Sequence, residues 1–219
     1  MAHQPSERRG RGIRAGIDLD TIVAAARGIP PAEVTMQRVA DALGVDRKAL
    51  NHHVTDRESL LELLAIDAYR SRLAEEPLDL GTTWQDACRA HGRAIWRTTI
   101  ATGEWVAYFR FTSPRDLAVA DGSEIVAERL LAAGLDEVAT SRAMHLLVTT
   151  CTGFARDAVI GSREGGHPQI EALRSTFAQT EGGYPALRRL VDARVDNFGE
   201  DQLAFDLDAY VAGIERLLT

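Results

Sequence analysis

The stretch that decides the fold is residues 35–64, TMQRVADALGVDRKALNHHVTDRESLLELL. Its first apolar residues recur at the spacing of one helical face: Met36, Val39, Ala40 and Leu43. Thr35 is a suitable N-cap for this helix, because its hydroxyl can accept a hydrogen bond from a free amide of the first turn. Gly44 follows the last apolar residue, where a left-handed backbone is needed. The pattern predicts a tight turn and then a second helix, capped by Asp46 and running through Val54.

The second helix has one buried and one exposed side. If Leu50 points inward, Lys48 and His52 lie roughly 160° and 200° around the axis at about 100° per residue, so both point outward. Ala40 is small where the two helices would cross, as a helix-turn-helix requires. The exposed side is basic and carries an amide, and such a side can enter a major groove and read base edges. A solvated face of a helical hairpin is the alternative; the register of Ala40, Gly44 and Leu50 favours DNA binding.

Residues 17–64 resemble the DNA-binding domain of the TetR (tetracycline repressor) family. The residues that carry the resemblance are Thr35, Val39, Ala40, Leu43, Gly44, Val45, Leu50, His53, Val54, Asp56, Arg57, Leu60 and Leu61. The resemblance implies an all-helical, homodimeric, ligand-responsive transcriptional regulator, usually a repressor. By position it implies that Gln37, Arg47, Lys48 and His52 contact bases, and that His53 and Arg57 contact the DNA backbone.

Two features depart from the family pattern. Asn51 stands where the family usually has a tyrosine that packs against the DNA backbone, and we keep Asn51 among the candidate DNA-binding residues. The segment from Gly28 to Thr35 is longer than usual and contains Pro30 and Pro31. We therefore expect a stiffened and reshaped connection between the first and second helices.

The composition predicts a soluble cytoplasmic protein. The chain has 219 residues, of which 45% are hydrophobic and 26% charged, as in ordinary globular proteins. No run approaches the roughly 20 apolar residues of a membrane span, and no apolar segment follows the N-terminal arginines, so neither a membrane partner nor a secretory signal is expected. The two cysteines, Cys88 and Cys151, suit a reducing compartment.

The charge is unevenly distributed along the chain. The formal net charge is −7, which by itself disfavours DNA binding. However, residues 1–58 contain nine basic and eight acidic side chains, whereas residues 59–219 contain sixteen and twenty-four. A mildly basic first part on an acidic body still attracts phosphate locally and keeps non-specific binding weak.

The helical periodicity predicts an all-α fold in three parts. Residues 1–14 are expected to be a disordered basic arm, either a DNA-contacting arm or a solvated tail. Residues 15–76 are expected to form the helix-turn-helix DNA-binding domain, with a first helix ended by Gly28 and a linking fourth helix that Thr55 or Asp56 caps. The family register favours Asp56. Residues 77–219 are expected to form a helical ligand-binding and dimerisation domain.

In the second domain, helices are predicted over residues 84–102, 105–111, 123–133, 136–160, 170–177, 185–195 and 201–218. The helix at 136–160 is apolar around most of its circumference, which indicates burial on several sides. Pairing this helix and the last helix across a two-fold axis would form a four-helix dimer interface, as in the resembled family. Two recognition helices would then read half-sites of a palindrome about 34 Å apart.

The second domain also contains the candidate ligand-binding residues, chosen because aromatic and polar side chains share helical faces there. They are Trp84, Cys88, His91, Trp96, Trp105, Tyr108, Phe109, Met144, Thr149 and Phe154. His145, Thr149, Thr152 and Arg156 form a polar stripe on the long helix. The alternatives are that His91 and the aromatic residues belong to the core, and that the stripe faces water.

The sequence therefore favours an effector-released repressor that binds a palindromic operator as a homodimer, with a small apolar or aromatic effector. The alternative is a helical enzyme or ligand carrier whose N-terminal hairpin does not bind DNA. Against an enzyme, the chain has no Gly-rich phosphate loop, no G-x-S-x-G and no HExxH motif. Cys88 and His91 could be two metal ligands, but no second pair joins them, so neither a metal nor a cofactor is expected.

Overall fold

The computed structural model describes residues 17–161, 167–180 and 182–218. Within those ranges the chain forms ten α-helices and three 3₁₀ segments, and it has no β-strand. The all-α fold predicted from the periodicity is confirmed. The arm predicted at residues 1–14 lies outside the described residues.

Inter-residue contacts divide the chain into two compact units, Met1–Leu64 and Ala65–Thr219. The division falls inside the fourth helix, α4, which spans Arg57–Leu73. The sequence suggested a boundary between residues 76 and 77, which would assign all of α4 to the DNA-binding domain. The contacts instead assign the first turns of α4 to the first unit and the remainder to the second.

The helices of the first unit begin where the sequence supplies capping side chains. They are α1 (Leu19–Ala26), α2 (Met36–Leu43), α3 (Arg47–Leu50) and the first part of α4. The side chains that accept hydrogen bonds from backbone N–H groups of the first turns are Asp18, Thr35, Asp46 and Asp56. The predicted Thr35 cap is confirmed, and Asp56 rather than Thr55 caps α4.

The corner after α2 depends on Gly44, whose φ is +67°. The Gly44 N–H donates to the carbonyls of Ala40 and Asp41, and the Val45 N–H donates to the Ala40 carbonyl. These bonds satisfy carbonyl groups that the end of an α-helix leaves free. The helix-turn-helix is closed over a small core of buried side chains: Ile22, Val23, Ala26, Val34, Met36, Val39, Ala40, Leu50, Val54, Leu60, Leu61 and Leu64.

The second helix of the motif is shorter than predicted. It ends at Leu50, and residues 51–53 form a turn in which the N–H groups of His53 and Val54 both donate to the Leu50 carbonyl, at 2.8 and 2.9 Å. Asparagine and histidine have low helix propensities, and the β-branched Val54 and Thr55 follow them, so little favours further helical turns here. Val54 is nevertheless buried and anchors the end of the turn.

The second unit is built on a central helix, α5 (Trp84–Thr102), which packs against α6, α7 and α10. The other helices are α6 (Asp121–Ala132), α7 (Glu137–Gly161), α8 (Pro168–Ala178), α9 (Pro185–Asp192) and α10 (Glu200–Glu215). Gly92 lies where three helices meet: a Cβ there would be 2.5 Å from a Leu207 methyl and 3.2 Å from the Cys151 sulfur. A glycine is therefore needed for α5, α7 and α10 to approach this closely.

One helix predicted for the second unit is not an α-helix. The segment predicted as a helix at 105–111 is a 3₁₀ segment, Gly103–Tyr108, and a second one, Pro114–Ala120, precedes α6. Gly103, with φ +61°, ends α5, and the carboxylate of Asp116 accepts from the N–H groups of residues 112 and 113, which stabilises the bend.

The long helix α7 is buried along one side only within a single chain. Ala143, Leu147, Cys151 and Ala155 are buried, whereas Val138 and Leu146 are 59% and 52% exposed. The prediction of burial on several sides is therefore wrong for one chain, because the neighbouring helices α5, α6 and α10 cover only one side.

None of the helices within the described ranges combines the length and the apolar character that crossing a lipid bilayer requires.

Replacement of Gly44 by Ala should lower the free energy of unfolding by about 1–2 kcal/mol, because a Cβ disfavours the left-handed conformation although no atom obstructs it. Urea unfolding followed by circular dichroism measures this difference. Gly44→Asn is the matched control and should cost less, since asparagine visits this conformation more readily. Equal stability of Gly44→Ala and the parent would contradict the role assigned to the corner.

Candidate functional site

Residues 47–53, named here the recognition segment, form an exposed turn of helix on the first unit. Leu50 is fully buried beneath it. The exposed side chains are Arg47, Lys48, Asn51, His52 and His53. Asp46 accepts a hydrogen bond from the Lys48 backbone N–H at 2.7 Å and fixes the start of the segment.

The recognition segment has the chemistry that a DNA duplex accepts. It contains two cationic side chains, two imidazoles and one amide, and it contains no carboxylate. Guanidinium and ammonium groups donate to phosphate oxygens and to guanine, and an amide can pair with adenine. Because α3 ends at Leu50, the donors of Asn51, His52 and His53 project from a turn rather than from a continuous helix.

The other two candidate DNA-binding residues are also exposed, and both have partners inside the first unit. The Gln37 amide donates to the Asp41 carboxylate at 2.7 Å. Arg57 donates from Nε to the Val34 carbonyl at 2.8 Å and from Nη2 to the Pro31 carbonyl at 3.0 Å. These bonds hold the 3₁₀ turn Pro31–Glu33 against the start of α4. They use two of the five N–H donors of the guanidinium group, so Arg57 has a structural role that the sequence did not indicate.

The second unit contains a cavity of about 270 Å³, named here the second-unit cavity. Its walls come from α4, α5, α6, α7 and the segment between residues 103 and 120. They combine apolar and aromatic side chains with hydroxyl groups, one imidazole and two guanidinium groups. The lining residues are Tyr69, His91, Ile95, Thr99, Val106, Phe109, Arg110, Phe111, Ala120, Ser123, Val148, Thr152 and Arg156. Such a mixture of apolar walls and a few polar groups is typical of small-molecule sites.

His91 is the polar group best fixed in this wall. It is 4% exposed, and its Nε2 lies 2.8 Å from the Ser123 hydroxyl oxygen. Burial lowers the pKa of His91 from 6.5 to about 4, so the imidazole is neutral near neutral pH. A Cβ at Gly122 would lie 2.8 Å from the Nδ1 of His91, so α6 can approach the imidazole only because residue 122 is glycine.

Tyr69 is the contribution of α4 to the cavity. Its ring centroid lies 4.8 Å from that of Phe109, and Phe109 packs edge-on against Phe111 at 5.4 Å. Burial raises the pKa of Tyr69 to about 12, so the phenol stays protonated. The aromatic wall therefore offers rings and a neutral hydroxyl, and no negative charge.

Of the ten candidate ligand-binding residues, the structure brings His91 and Phe109 to the cavity. Cys88 and Trp96 lie in the hydrophobic core, and Trp84, Met144 and Phe154 pack against it. Trp105 and Tyr108 contact each other in the 3₁₀ segment, with ring centroids 6.5 Å apart. Thr149 is exposed and donates to the His145 carbonyl of its own helix.

Several lining residues had no clear signal in the sequence. Tyr69 lies on the fourth helix, which the sequence pattern assigns to the DNA-binding domain. Arg110 lies in an irregular segment where no periodicity indicates a facing side. The polar stripe on α7 did contain a signal: Thr152 and Arg156 line the cavity, whereas His145 and Thr149 are exposed.

A second concavity, of about 250 Å³, lies between α8 and α9. Its central guanidinium, that of Arg188, donates to the carbonyls of Phe177, Thr180, Gly182 and Gly183 and lies over the Phe177 ring. The group thereby stabilises the connection between the two helices. We therefore assign a structural role to this region.

Across the residues that the structure covers, no group of three or more His, Cys, Asp or Glu side chains is arranged to hold a metal ion. Cys88 is fully buried among core residues.

No protein-family model and no curated protein sequence matches the chain. Solved structures do match. The TetR family protein ActR from Streptomyces coelicolor, in its apo form, superposes with a TM-score of 0.70 at 22% identity over 92% of this chain and 96% of that chain. The chain has the TetR-family fold.

Two further structures with the TetR-family fold are similar. The complex of ActR with actinorhodin gives a TM-score of 0.69 at 21% identity over 91% of this chain and 96% of that chain. TetR from Acinetobacter baumannii AYE gives 0.57 at 17% identity over 93% of this chain and 99% of that chain. The predicted architecture, a helix-turn-helix part followed by a larger helical part, is thus confirmed.

The neutral, buried His91 predicts a pH dependence of stability. Its folded pKa lies below its unfolded value, so the unfolded chain binds the proton first, and stability falls as the pH drops from about 6.5 towards 4. Between about pH 7 and pH 5 this group should remove about 2 kcal/mol from the free energy of unfolding. Urea titrations at both pH values test this. His91→Gln should lose that part of the pH dependence; an unchanged pH dependence would contradict the assignment.

Proposed function

We propose that the chain is a ligand-responsive, DNA-binding transcriptional regulator. In this proposal a homodimer represses transcription from a palindromic operator, and a small apolar or aromatic effector in the second-unit cavity releases it. The carrying observation is the exposed recognition segment of a TetR-family fold, which offers cationic and amide donors without any carboxylate. As a DNA-binding regulator the protein would act in the cytoplasm.

DNA binding is proposed to place one recognition segment in each of two successive major grooves. Arg47, Lys48, His52 and Gln37 read bases, Asn51 contacts the edge of the site, and His53 and Arg57 donate to phosphates. To reach a base, the Gln37 amide exchanges Asp41 for the new partner. Arg57 keeps its two bonds to the Pro31–Glu33 turn and uses its remaining donors.

Homodimerisation is proposed to occur through α7 and α10. Exposed apolar side chains on these helices support it: Val138 and Leu146 on α7 and Phe205 on α10 are 59%, 52% and 68% exposed. A contiguous patch of exposed apolar side chains is typical of an interaction site. Doubling the few base contacts of one recognition segment would also supply the specificity that an operator requires.

Release by an effector is proposed to act through α4. Tyr69 on α4 lines the second-unit cavity, and the same helix begins at Arg57 in the first unit. An effector that packs against Tyr69 would favour a different position of α4 and hence a different separation of the two recognition segments. The crystal structure of ActR in complex with actinorhodin supports a ligand site in this fold. A coupling of about 1–3 kcal/mol would change DNA affinity about 5- to 150-fold.

A helical enzyme or ligand carrier is the alternative, and the comparisons do not favour it, since the similar structures are transcriptional regulators. The decisive experiment is selection of bound duplexes from a random library, followed by a screen for compounds that release the selected DNA. Enrichment of an inverted repeat and its release by a compound would support the proposal. If the protein binds no inverted repeat at moderate salt, the proposal is refuted.

Replacement of Lys48 by Ala should weaken binding to the selected operator by about 1–3 kcal/mol and relax base preference at one position of each half-site. Fluorescence anisotropy with the operator and with single-base variants measures both effects. Arg72→Ala is the control, because Arg72 lies on α4 in the second unit and pairs with Glu75. Equal weakening on all sequences with a shallower salt dependence would assign Lys48 to a phosphate instead.

Replacement of both Leu146 and Phe205 by Glu should convert the dimer to monomers, since two charges would then be buried in the proposed interface. Sedimentation equilibrium at micromolar concentration measures the mass. The control is Leu117→Glu, an equally exposed apolar residue (59%) outside α7 and α10, which should leave the dimer intact. A dimeric double variant would contradict the assigned interface.

A further inference from the structure

Among the described residues, the charged side chains that line the second-unit cavity are all positive. Two guanidinium groups, those of Arg110 and Arg156, lie in its wall. Among the described residues no Asp or Glu lines it, and the other polar groups are hydroxyls and a histidine that is neutral near neutral pH. Any charge that the wall presents to an occupant is therefore positive.

The two arginines come from different parts of the second unit. Arg110 lies in the segment after the Gly103–Tyr108 turn, where its Nη1 donates to the Phe109 carbonyl at 2.7 Å. Arg156 lies on α7, in line with Val148 and Thr152, which also line the cavity. Both arginines are exposed as well as lining the cavity. Two separate elements thus bring positive charge to the same cavity.

Neither arginine forms an ion pair with any residue that the structure describes. By contrast, Arg89 pairs with Asp208 at 2.7 Å and Arg97 with Glu200 at 2.8 Å in the same unit. A carboxylate would be the natural partner of two guanidinium groups, because such charge-assisted bonds are short, strong and often bidentate. No Asp or Glu among the described residues lines the cavity with them.

The interior of the cavity selects the rest of the occupant. The rings of Tyr69, Phe109 and Phe111 form an aromatic wall, with Ile95 and Val106 also in the lining. Flat rings pack against such a wall in stacked or edge-on geometry. The Ser123–His91 pair adds a neutral hydrogen-bonding group. A positively charged compound would meet only like charge and neutral groups.

We propose that the second-unit cavity binds an aromatic compound that carries an acidic group, with the rings inside and the acid held by Arg110 and Arg156. This proposal deepens the proposed function and rests on it in one respect, namely that the cavity is the effector site. The binding chemistry itself is independent of whether the occupant alters DNA affinity.

The test measures binding of aromatic acids and their uncharged counterparts to the full chain without DNA. Isothermal titration calorimetry near neutral pH compares naphthalene-, anthracene- and biphenylcarboxylic acid with the corresponding primary amides. At least one acid should bind at least tenfold more tightly than its amide. Added sodium chloride should weaken the binding of the acid and leave the binding of the amide unchanged. Equal binding of acid and amide in every pair, or no binding by any acid, would overturn the proposal.

Variants locate the charge preference. Arg110→Gln and Arg156→Gln keep a polar side chain and remove the charge, and each should reduce the acid-to-amide preference several-fold. The matched control is Arg142→Gln, which removes an exposed arginine from α7 away from the cavity and should leave the preference unchanged. A preference that survives loss of both cavity arginines would overturn the assignment. Circular dichroism confirms that each variant is folded.

The failure of this proposal and that of the proposed function are distinguishable. If acids bind in the expected manner but never weaken the complex with the selected operator, the ligand class stands and the release mechanism fails. If neutral aromatic compounds bind as tightly as the acids and release the protein from the operator equally well, the proposed regulatory function is supported. The proposal of an acidic ligand is then overturned.

Discussion

The central constraint on this protein is that one helix, α4, belongs to both of its compact units. Its first turns bury Leu60 and Leu61 in the core of the first unit, and its later turns bring Tyr69 to the cavity of the second. An α-helix is a stiff element whose hydrogen bonds connect each turn to the next. In the proposed function, an effector that displaces Tyr69 would act on residues near Arg57 through this helix.

In the first unit, a short exposed segment is held in a fixed conformation by a few residues. Its recognition segment begins with a single helical turn, Arg47–Leu50, which would not be stable alone because helix nucleation is costly. The Asp46 cap, the Gly44 corner and the buried Leu50 side chain hold it from three directions. Elsewhere in the first unit, Arg57 donates to the Pro31 and Val34 carbonyls and holds that segment against the start of α4. The exposed side chains are thus presented from a fixed base.

The second unit combines a hydrophobic core with a partly polar cavity. Gly92 allows α5, α7 and α10 to pack closely, and the core there contains Cys151 and Leu207. The cavity lies beside this core, where the 3₁₀ segments replace regular helix and leave space that side chains do not fill. His91 lies between the two environments: its burial keeps it neutral, and Ser123 satisfies one of its nitrogens.

The sequence alone determined the all-α class, the cap at Thr35, the corner at Gly44 and most helix bounds of the second unit. These features depend on residues within a few positions of each other, so periodicity and capping chemistry are sufficient. The early end of α3 was not predicted, because the apolar pattern continues to Val54 although residues 51–53 are weak helix formers.

Only the tertiary structure decided which aromatic and polar residues share the cavity. Cys88, Ile95 and Trp96 lie on the same helix and all belong to the core, yet only Ile95 also lines the cavity. Tyr69, Arg110 and Arg156 are far apart in sequence and converge only when α4, the 103–120 segment and α7 pack together. The facing side of a helix depends on which neighbours cover it, and that information is non-local. For the same reason, the sequence pattern of α7 indicates apolar residues around most of the helix. It does not indicate which of them stay exposed in a single chain.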